Sequence, residues 1–187
     1  MVKLTKIYTR TGDKGMTHLA GGHRVSKVSD RITAIGDVDE LNAQIGFVIA
    51  ACHDEELKKI VQQLKQIQNE LFNLGSQLAV LHEDRRQNTP VIKLENIARL
   101  EEEIDEMNEA LPSLMSFILP GGGEVGTRLH LARAVCRRAE RTLLKLAQQA
   151  PLDNVELPYL NRLSDWLFVA ARFVSKLTHH SEQLWQP

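Results

Sequence analysis

The most regular pattern in the chain is a seven-residue repeat of leucine and isoleucine between residues 55 and 82. Two series of four apolar residues form it: Leu57, Leu64, Leu71 and Leu78, and Ile60, Ile67, Leu74 and Leu81. Apolar heptads sustained over four repeats are typical of a helix whose apolar seam packs against other helices. The repeat therefore predicts a long helix from Glu55 to His82 in a helical bundle.

Four further segments have apolar residues three and four positions apart, the spacing of amphipathic helices. These helices are expected at Asp30 to Cys52, Val91 to Ala110, Glu124 to Gln149 and Tyr159 to His179, with Asp30 as an N-cap. The segments 84–90 and 151–158 are expected to be loops. The pattern predicts an all-α fold in a single domain, 1–187, with a five-helix bundle over 30–182 and an N-terminal arm over 1–29.

Arginines cluster on one face of the fourth predicted helix. Residues three and four apart share a helix face, so Arg133, Arg137, Glu140 and Arg141 form one polar stripe. The apolar face of the same helix is Val125, Leu129, Ala132, Cys136, Ala139, Leu143 and Leu146. Guanidinium groups around one carboxylate suit a polyanion such as a triphosphate, because their donors match phosphate oxygens in bidentate pairs. A solvated charged surface is the alternative, and the stripe alone favours it.

The arm differs from the rest of the chain, since it has turn residues and no helical period. Glycines stand beside hydroxyls and a lysine in 9–17, at Gly21 and Gly22, and at Ser26 and Lys27. Such a loop can wrap a phosphate with backbone N–H groups, hydroxyls and an ammonium. It lacks the spacing of a Walker A motif. We expect a loop with a short strand at Leu4–Thr9. The sequence favours equally two roles for this segment, a phosphate-binding loop and a flexible arm.

The segment Leu111 to Gly123 is unusually apolar for a loop, so we expect a partner subunit or a ligand to cover it. Gly121, Gly123 and Gly126 formally match the dinucleotide-binding pattern GxGxxG. We do not assign that function, because no βαβ unit surrounds the glycines and Pro120 interrupts the strand the motif requires.

Composition narrows the class of protein. The chain has 187 residues, 43% of them hydrophobic, and a net charge of -1, which argues against a nucleic-acid or membrane-surface role. Cys52 and Cys136 lie on separate predicted helices and form no CxxC motif, so a reducing compartment is favoured. No apolar N-terminal run or membrane-spanning stretch is present, and a cytoplasmic location is expected.

Several chemistries common in helical bundles are disfavoured. No histidine follows a glutamate by three positions, as carboxylate-bridged di-iron centres require, and no two histidines are four residues apart. No GxSxG motif and no cysteine with an evident base is present. What remains is an anion site divided between the arm and the fourth helix, beside an apolar loop. This combination favours a nucleotide polyphosphate bound next to a large, mostly apolar ligand.

Four segments in order give the chain a resemblance to a known family. They are residues 8–15 (YTRTGDKG), 38–42 (VDELN), 117–122 (FILPGG) and 136–141 (CRRAER), the last followed by 161–165 (NRLSD). With these segments the chain resembles the PduO-type ATP:cob(I)alamin adenosyltransferases, also called ATP:corrinoid adenosyltransferases, over essentially its whole length. The resemblance implies a trimer of five-helix bundles with active sites between subunits.

The resemblance also implies where ATP binds. The implied ATP-binding residues are Thr9, Arg10, Thr11, Gly12, Thr17, His18, Lys27, Arg137, Arg138, Glu140, Arg141 and Asn161. Arg137 and Arg141 would hold the triphosphate, and Asp39 would pair with Arg137 of a neighbouring subunit. His18 is the weakest member of the set, because that arm position varies in such proteins. Mg²⁺ is expected on the ATP phosphates, with no metal site formed by protein side chains alone. Arg133 is expected to be structural, in an interface salt bridge.

For the corrinoid, the resemblance implies that Phe117 presses on the lower face of the corrin, with Phe168 in the same pocket. The implied reaction is attack of cob(I)alamin cobalt on C5′ of ATP, with Arg137, Asp39 and Phe117 as the catalytic residues. An aromatic wedge would displace the lower axial ligand of cob(II)alamin and ease its reduction. A flavoprotein reductase and an adenosylcobalamin-dependent acceptor enzyme are the partners that the resemblance suggests.

Two other classes of protein stay open at this point. A cobalamin carrier or nucleotide sensor would keep the fold and bind its ligands without forming a cobalt–carbon bond. A structural helical oligomer would carry the arginine stripe only as a solvated face.

Overall fold

The structure, a computed structural model, describes residues 7–186. Five long helices dominate this part of the chain and confirm the predicted all-α bundle. Their bounds are α1 Asp30–Ile49, α2 Lys58–Ala79, α3 Leu94–Glu109, α4 Gly123–Ala147 and α5 Glu156–Leu177. Two single turns of 3₁₀ helix, Glu55–Leu57 and His82–Asp84, flank α2. None of the helices in the described range is long and apolar enough to cross a membrane.

The apolar faces predicted from spacing form the core. All seven apolar residues named for α4 are buried, and α4 packs mainly against α1 and α5. The heptad residues from Leu57 to Leu78 are also buried, whereas Leu81 lies beyond the end of α2 and is partly exposed. Ile35, Cys52 and Ile97 are only partly buried at the edge of the core.

Most helix ends differ from the prediction by one to three residues, and three of the differences have a clear local cause. The N-cap of α1 is Ser29 instead of Asp30, since its hydroxyl accepts a hydrogen bond from the N–H of Ile32 at 3.5 Å. The predicted second helix is shorter, because its first turn is 3₁₀ and the chain becomes extended at Val80. Helix α5 begins at Glu156 and includes Pro158 in its first turn, where a missing N–H costs no helical hydrogen bond.

A buried polar cluster joins α2, α3 and α5, and the heptad pattern gave no sign of it. The side chain of Glu70 is only 4% exposed and accepts hydrogen bonds from Arg99 at 2.8 Å and from the Tyr159 hydroxyl at 2.9 Å. Asn96 donates a third at 3.0 Å. Burial, with Glu70 nearby, raises the pKa of Tyr159 well above its ordinary value, so the phenol stays a donor. These bonds fix the N-terminal half of α5 against the bundle.

The arm folds as a β-hairpin docked on the bundle. Strand β1, Met16–His18, pairs antiparallel with β2, Arg24–Ser26. The strand predicted at Leu4–Thr9 is wrong for residues 7–9, which are irregular, and its remaining residues lie outside the described range. Leu19 is buried, and the N–H of Ala20 donates to the carbonyl of Ala79 at 2.9 Å, so the hairpin is held at the C-terminal end of α2.

Candidate functional site

Two exposed arginines on α4 have no carboxylate partner within residues 7–186. Arg137 and Arg141 lie one turn apart, and the Arg141 guanidinium donates to the carbonyl of Arg137 at 3.0 Å. Between them along the chain, Glu140 accepts a hydrogen bond from the amide of Asn161 on α5 at 3.0 Å. The two guanidinium groups are therefore free to bind an anion at a surface where α4 and α5 meet.

The neighbouring arginine, Arg138, has a different environment. It forms an ion pair with Glu40 on α1, and its Nε lies 3.6 Å from Asp37. Asp37 also accepts a 2.5 Å hydrogen bond from the Thr142 hydroxyl, which joins α1 to α4. These contacts give Arg138 a structural role, and its assignment to ATP stays a prediction.

The arm brings several predicted phosphate-binding groups together. A β-carbon at Gly12 would lie 3.1 Å from Nζ of Lys27, so the glycine lets the ammonium approach the backbone closely. The hydroxyls of Thr9 and Thr11 are 2.8 Å apart, and Arg10 between them adopts a left-handed conformation with φ of 61°. These residues form a compact polar loop near the start of the described chain.

The hairpin separates two further arm residues. Thr17 lies in the middle of β1 and is half-buried, whereas His18 at its end is exposed and pairs with Arg24 in the strand register. Neither side chain has a hydrogen-bond partner within the described range.

Within the described part of the chain, the arm and the α4 arginines are not joined. In residues 7–186, no hydrogen bond or ion pair connects the loop at 9–15 or Lys27 with Arg137 or Arg141. Asp39 on α1 is likewise exposed and without an ion-pair partner in that range, and it lines a shallow groove between α1 and α2 beside Phe72. The predicted ATP residues thus occupy separate patches on one subunit.

The loop between α3 and α4 exposes large apolar side chains. Phe117 is 79% exposed and Met115 is 90% exposed. The loop is nevertheless held by the C-terminal segment, because the N–H of Leu119 donates to the carbonyl of Gln183 at 2.8 Å and the N–H of Trp185 donates to that of Phe117 at 2.7 Å. The Trp185 and Phe117 rings meet edge to face at 6.3 Å. A fixed backbone therefore presents an exposed aromatic side chain.

The C-terminal segment is itself anchored to α5. Nε of Arg172 donates to Glu182 at 2.6 Å, and another nitrogen of the same guanidinium donates to the carbonyl of Pro112 at 2.9 Å. Sequence analysis missed this segment, because its only apolar residues after His180 are Leu184 and Trp185 and they follow no period.

A cavity of about 540 Å³ lies between this loop and the helices. Its walls include Phe117, Phe168, His130 and Arg133. The Arg133 guanidinium lies 5.9 Å from the centre of the Phe168 ring. Phe117 and Phe168, which were predicted to share a pocket, do line the same cavity. Arg133 has no ion pair in the described chain, so an interface salt bridge stays a prediction.

The glycines before α4 have a packing role. Gly122 has φ of 88°, and a β-carbon there would overlap the hydroxyl of Ser175 on α5. A β-carbon at Gly126 would lie 2.8 Å from the carbonyl oxygen of Gly121. Gly122 and Gly126 let the first turn of α4 approach α5 closely. Gly126, the last glycine of the GxGxxG match, therefore has a packing role that requires no dinucleotide.

The fold and these side chains together define a class. It is a five-helix bundle in which one helix carries exposed arginines without a carboxylate partner in residues 7–186 and also lines an aromatic cavity. Among residues 7–186, no group of three histidine, cysteine, aspartate or glutamate side chains is placed to hold a metal ion.

Comparisons with known proteins agree with this class. A family model described as "Cobalamin adenosyltransferase" matches residues 7–174. A protein named Cobalamin adenosyltransferase from Cupriavidus metallidurans is 44% identical over 185 residues, which cover 98% of this chain and 96% of that protein. The chain therefore belongs to the cobalamin adenosyltransferase family, and its solved neighbours place it with the PduO-type enzymes.

Two of those neighbours are PduO-type ATP:corrinoid adenosyltransferases from Lactobacillus reuteri. A phenylalanine-to-alanine variant complexed with cobalamin and ATP has a TM-score of 0.92 and 35% identity, covering 97% of this chain and all of that one. An arginine-to-lysine variant complexed with ATP has a TM-score of 0.90 and 33% identity, covering 96% of this chain and all of that one. The fold and the family are thus shown by independent comparisons.

Proposed function

We propose that this protein transfers the 5′-deoxyadenosyl group of ATP to cob(I)alamin, giving adenosylcobalamin and triphosphate. The observation that carries the proposal is the position of Arg137 and Arg141, exposed and without carboxylate partners, on the helix that also lines the Phe117 cavity. Exposed arginines without carboxylate partners suit a polyphosphate, and an aromatic cavity suits the apolar face of a corrin.

ATP is bound by the two patches acting together. Thr9 to Gly12, Thr17, His18 and Lys27 surround the nucleotide from the arm, while Arg137 and Arg141 hold the triphosphate from α4. Glu140 and Asn161, joined by their hydrogen bond, lie near the ribose and phosphates. Because the patches share no hydrogen bond within residues 7–186 of one subunit, we place the site between subunits of a homotrimer, with Asp39 paired to Arg137 of the neighbour.

The chemistry is a single displacement at carbon. Cobalt of cob(I)alamin attacks C5′ of ATP with an electron pair, the cobalt–carbon bond forms, and the C5′–oxygen bond breaks as triphosphate leaves. The corrinoid supplies the nucleophile, so the protein needs no side-chain base. Its tasks are to align cobalt with C5′ and to stabilise the negative charge on the leaving group through Arg137, Arg141 and Lys27.

Mg²⁺ fits this site as an ion carried mainly by the nucleotide. Magnesium keeps several water ligands and binds substrate phosphates with few protein carboxylates. Bound in this way, Mg²⁺ would neutralise part of the triphosphate charge.

Phe117 is the proposed wedge beneath the corrin. Its ring is exposed on a backbone that the C-terminal segment holds, which supports a role against the lower face of the corrin. Displacing the lower axial ligand from cob(II)alamin makes the cobalt easier to reduce to cob(I)alamin. The electron would come from a flavoprotein reductase, and an adenosylcobalamin-dependent enzyme would accept the product. Free Cys52 and Cys136 suit the reducing cytoplasm, where we place the reaction.

The test is an absorbance assay with chemically reduced cobalamin and Mg-ATP. The proposal predicts that the cob(I)alamin spectrum converts to that of adenosylcobalamin only when ATP is present. A carrier or sensor would bind both ligands but form no cobalt–carbon bond, so the spectrum of adenosylcobalamin would not appear. A structural oligomer would show no thermal stabilisation by Mg-ATP, whereas ligand binding raises the melting temperature by mass action. Either result would reject the enzyme proposal.

A further inference from the structure

Two polar residues in the wall of the Phe117 cavity, His130 and Arg133, each carry a buried nitrogen with no hydrogen-bond partner in the described chain. His130 lies on α4 and is only 5% exposed, and its unpaired atom is Nδ1. Its ring meets the Phe168 ring edge to face at 6.0 Å. Buried polar atoms in folded proteins nearly always have a partner, so a ligand that enters this cavity can stabilise the complex by pairing with the ring.

The protonation state of His130 decides which ligands suit it. Burial and the neighbouring positive charge of Arg133 lower its pKa, with Glu182 on the C-terminal segment opposing them. The ring is therefore neutral at neutral pH, with one nitrogen as donor and the other as acceptor. A neutral imidazole does not attract an anion, and a guanidinium next to it disfavours a cation. An uncharged group with both a donor and an acceptor is its best partner.

The cavity sets a second requirement on that ligand. Phe117 and Phe168 supply aromatic surface in its wall, so the ligand must combine an apolar face with a neutral hydrogen-bonding group. A corrin ring meets both conditions, because its face is apolar and its rim carries primary amide side chains. A primary amide offers a carbonyl acceptor and N–H donors, and it can pair with either tautomer of the imidazole.

We propose that His130 hydrogen-bonds a primary amide on the rim of the corrinoid and so sets affinity for that substrate. The inference rests on the function proposed above and assigns a binding residue that the sequence did not reveal. A buried polar atom without a partner destabilises the empty cavity, and the bound amide would remove that cost. Losing the bond to the amide is expected to weaken corrinoid binding by about tenfold or more.

The test compares His130→Leu with His130→Asn. Leucine removes both ring nitrogens, while asparagine keeps a hydrogen-bonding atom near the position of Nδ1. We expect His130→Leu to raise the KM for cob(I)alamin about tenfold, with the KM for ATP unchanged, and His130→Asn to recover much of the loss. His53→Leu is the matched control, since His53 is exposed and does not line the cavity.

A melting temperature separates binding from a structural role. Without ligand, His130→Leu should melt at or above the wild-type temperature, because it replaces an unpaired buried polar group with an apolar one. The inference would be overturned if His130→Leu melts at a lower temperature than wild type and His130→Asn binds cobalamin no better than His130→Leu. Those results would give His130 a packing role.

Cobinamide, which keeps the ring amides and lacks the nucleotide tail, locates the contact. The Leu variant should lose as much affinity for it as for cobalamin, measured by quenching of tryptophan fluorescence. If the loss occurs only with cobalamin, the partner is on the tail and the ring-amide assignment is wrong. If wild-type protein itself gives no adenosylcobalamin, the proposed function fails; if wild type is active and His130→Leu equals it, only this inference fails.

Discussion

Replacing Arg137 with alanine should lower the activity of the protein while leaving its stability nearly unchanged. The side chain is exposed and its guanidinium makes no ion pair within residues 7–186. Exposed substitutions of this kind usually change the free energy of unfolding by no more than about 0.5 kcal/mol. The folded subunit should therefore survive the change intact.

The expected loss of activity is much larger. A hydrogen bond to a charged group contributes about 1.5 to 3 kcal/mol, and a donor that stabilises charge in the transition state is worth about 100-fold to 1,000-fold in kcat. We expect Arg137→Ala to lower kcat/KM for ATP by about two to three orders of magnitude. The kcat/KM of Arg137→Lys for ATP should lie between those of wild type and Arg137→Ala, because lysine keeps the charge and loses the bidentate geometry.

The assay follows adenosylcobalamin formation by absorbance at saturating cob(I)alamin and varied Mg-ATP. Arg86→Ala is the matched control, since Arg86 is an exposed arginine in the α2–α3 connection whose side chain has no ion pair within the described range. That variant should retain wild-type rates. Wild-type turnover in Arg137→Ala would refute the role given to this residue, as would an equal loss in both variants.

Three further predictions concern the wedge, the packing of α4 and the effect of pH. Phe117→Ala should reduce the rate from cob(II)alamin with a reductant much more than the rate from pre-reduced cob(I)alamin, and equal losses would contradict the wedge. Gly122→Ala should lower stability by about 2 to 4 kcal/mol through positive φ and overlap with Ser175, with partial recovery in the double variant carrying Ser175→Gly, as measured by urea unfolding. Burial raises the pKa of Cys136 and of Tyr159 above their ordinary values of 9.0 and 10.0. Unfolding therefore releases protons at high pH, and the free energy of unfolding should fall as pH rises above about 9. A flat profile of that free energy from pH 8 to 11 would contradict the burial of these two residues.

The helices could be predicted because their cores follow simple periods. The heptads of α2 and the seven apolar residues of α4 are buried where spacing placed them. Helix ends were less predictable, because caps depend on single side chains. Ser29 and Asp30 are both good N-caps by type, and only the backbone conformation shows that Ser29 serves. Pro158 suggested a loop, although the first turn of a helix accepts proline equally well.

Long-range pairing explains most of what the sequence did not reveal. The hairpin at 16–26 has strands of three residues each, too short for an alternating pattern to be recognised. The C-terminal segment is fixed by backbone hydrogen bonds to the Phe117 loop, and those bonds depend on no particular side chain.

Histidine spacing disfavours a metal site that includes His130, and the sequence pattern by itself gives this residue no other role. Its helical spacing to Arg133 and Arg137, three and seven residues further on, was the available signal. That spacing places all three side chains on adjoining parts of one helix face. A histidine on the same face as candidate phosphate-binding arginines can therefore be recognised from sequence, but its burial and its unpaired nitrogen cannot.

The central claim is that carbon from ATP becomes bonded to cobalt on this protein. The most direct measurement incubates the protein with cob(I)alamin and Mg-ATP labelled with ¹³C at C5′, then follows the labelled carbon by NMR and triphosphate by phosphorus NMR. The account predicts transfer of the label to a light-sensitive cobalt–carbon bond, with one triphosphate released for each adenosylcobalamin formed. Label that stays in ATP, or release of separate phosphate and diphosphate in place of a corrinoid product, would contradict it.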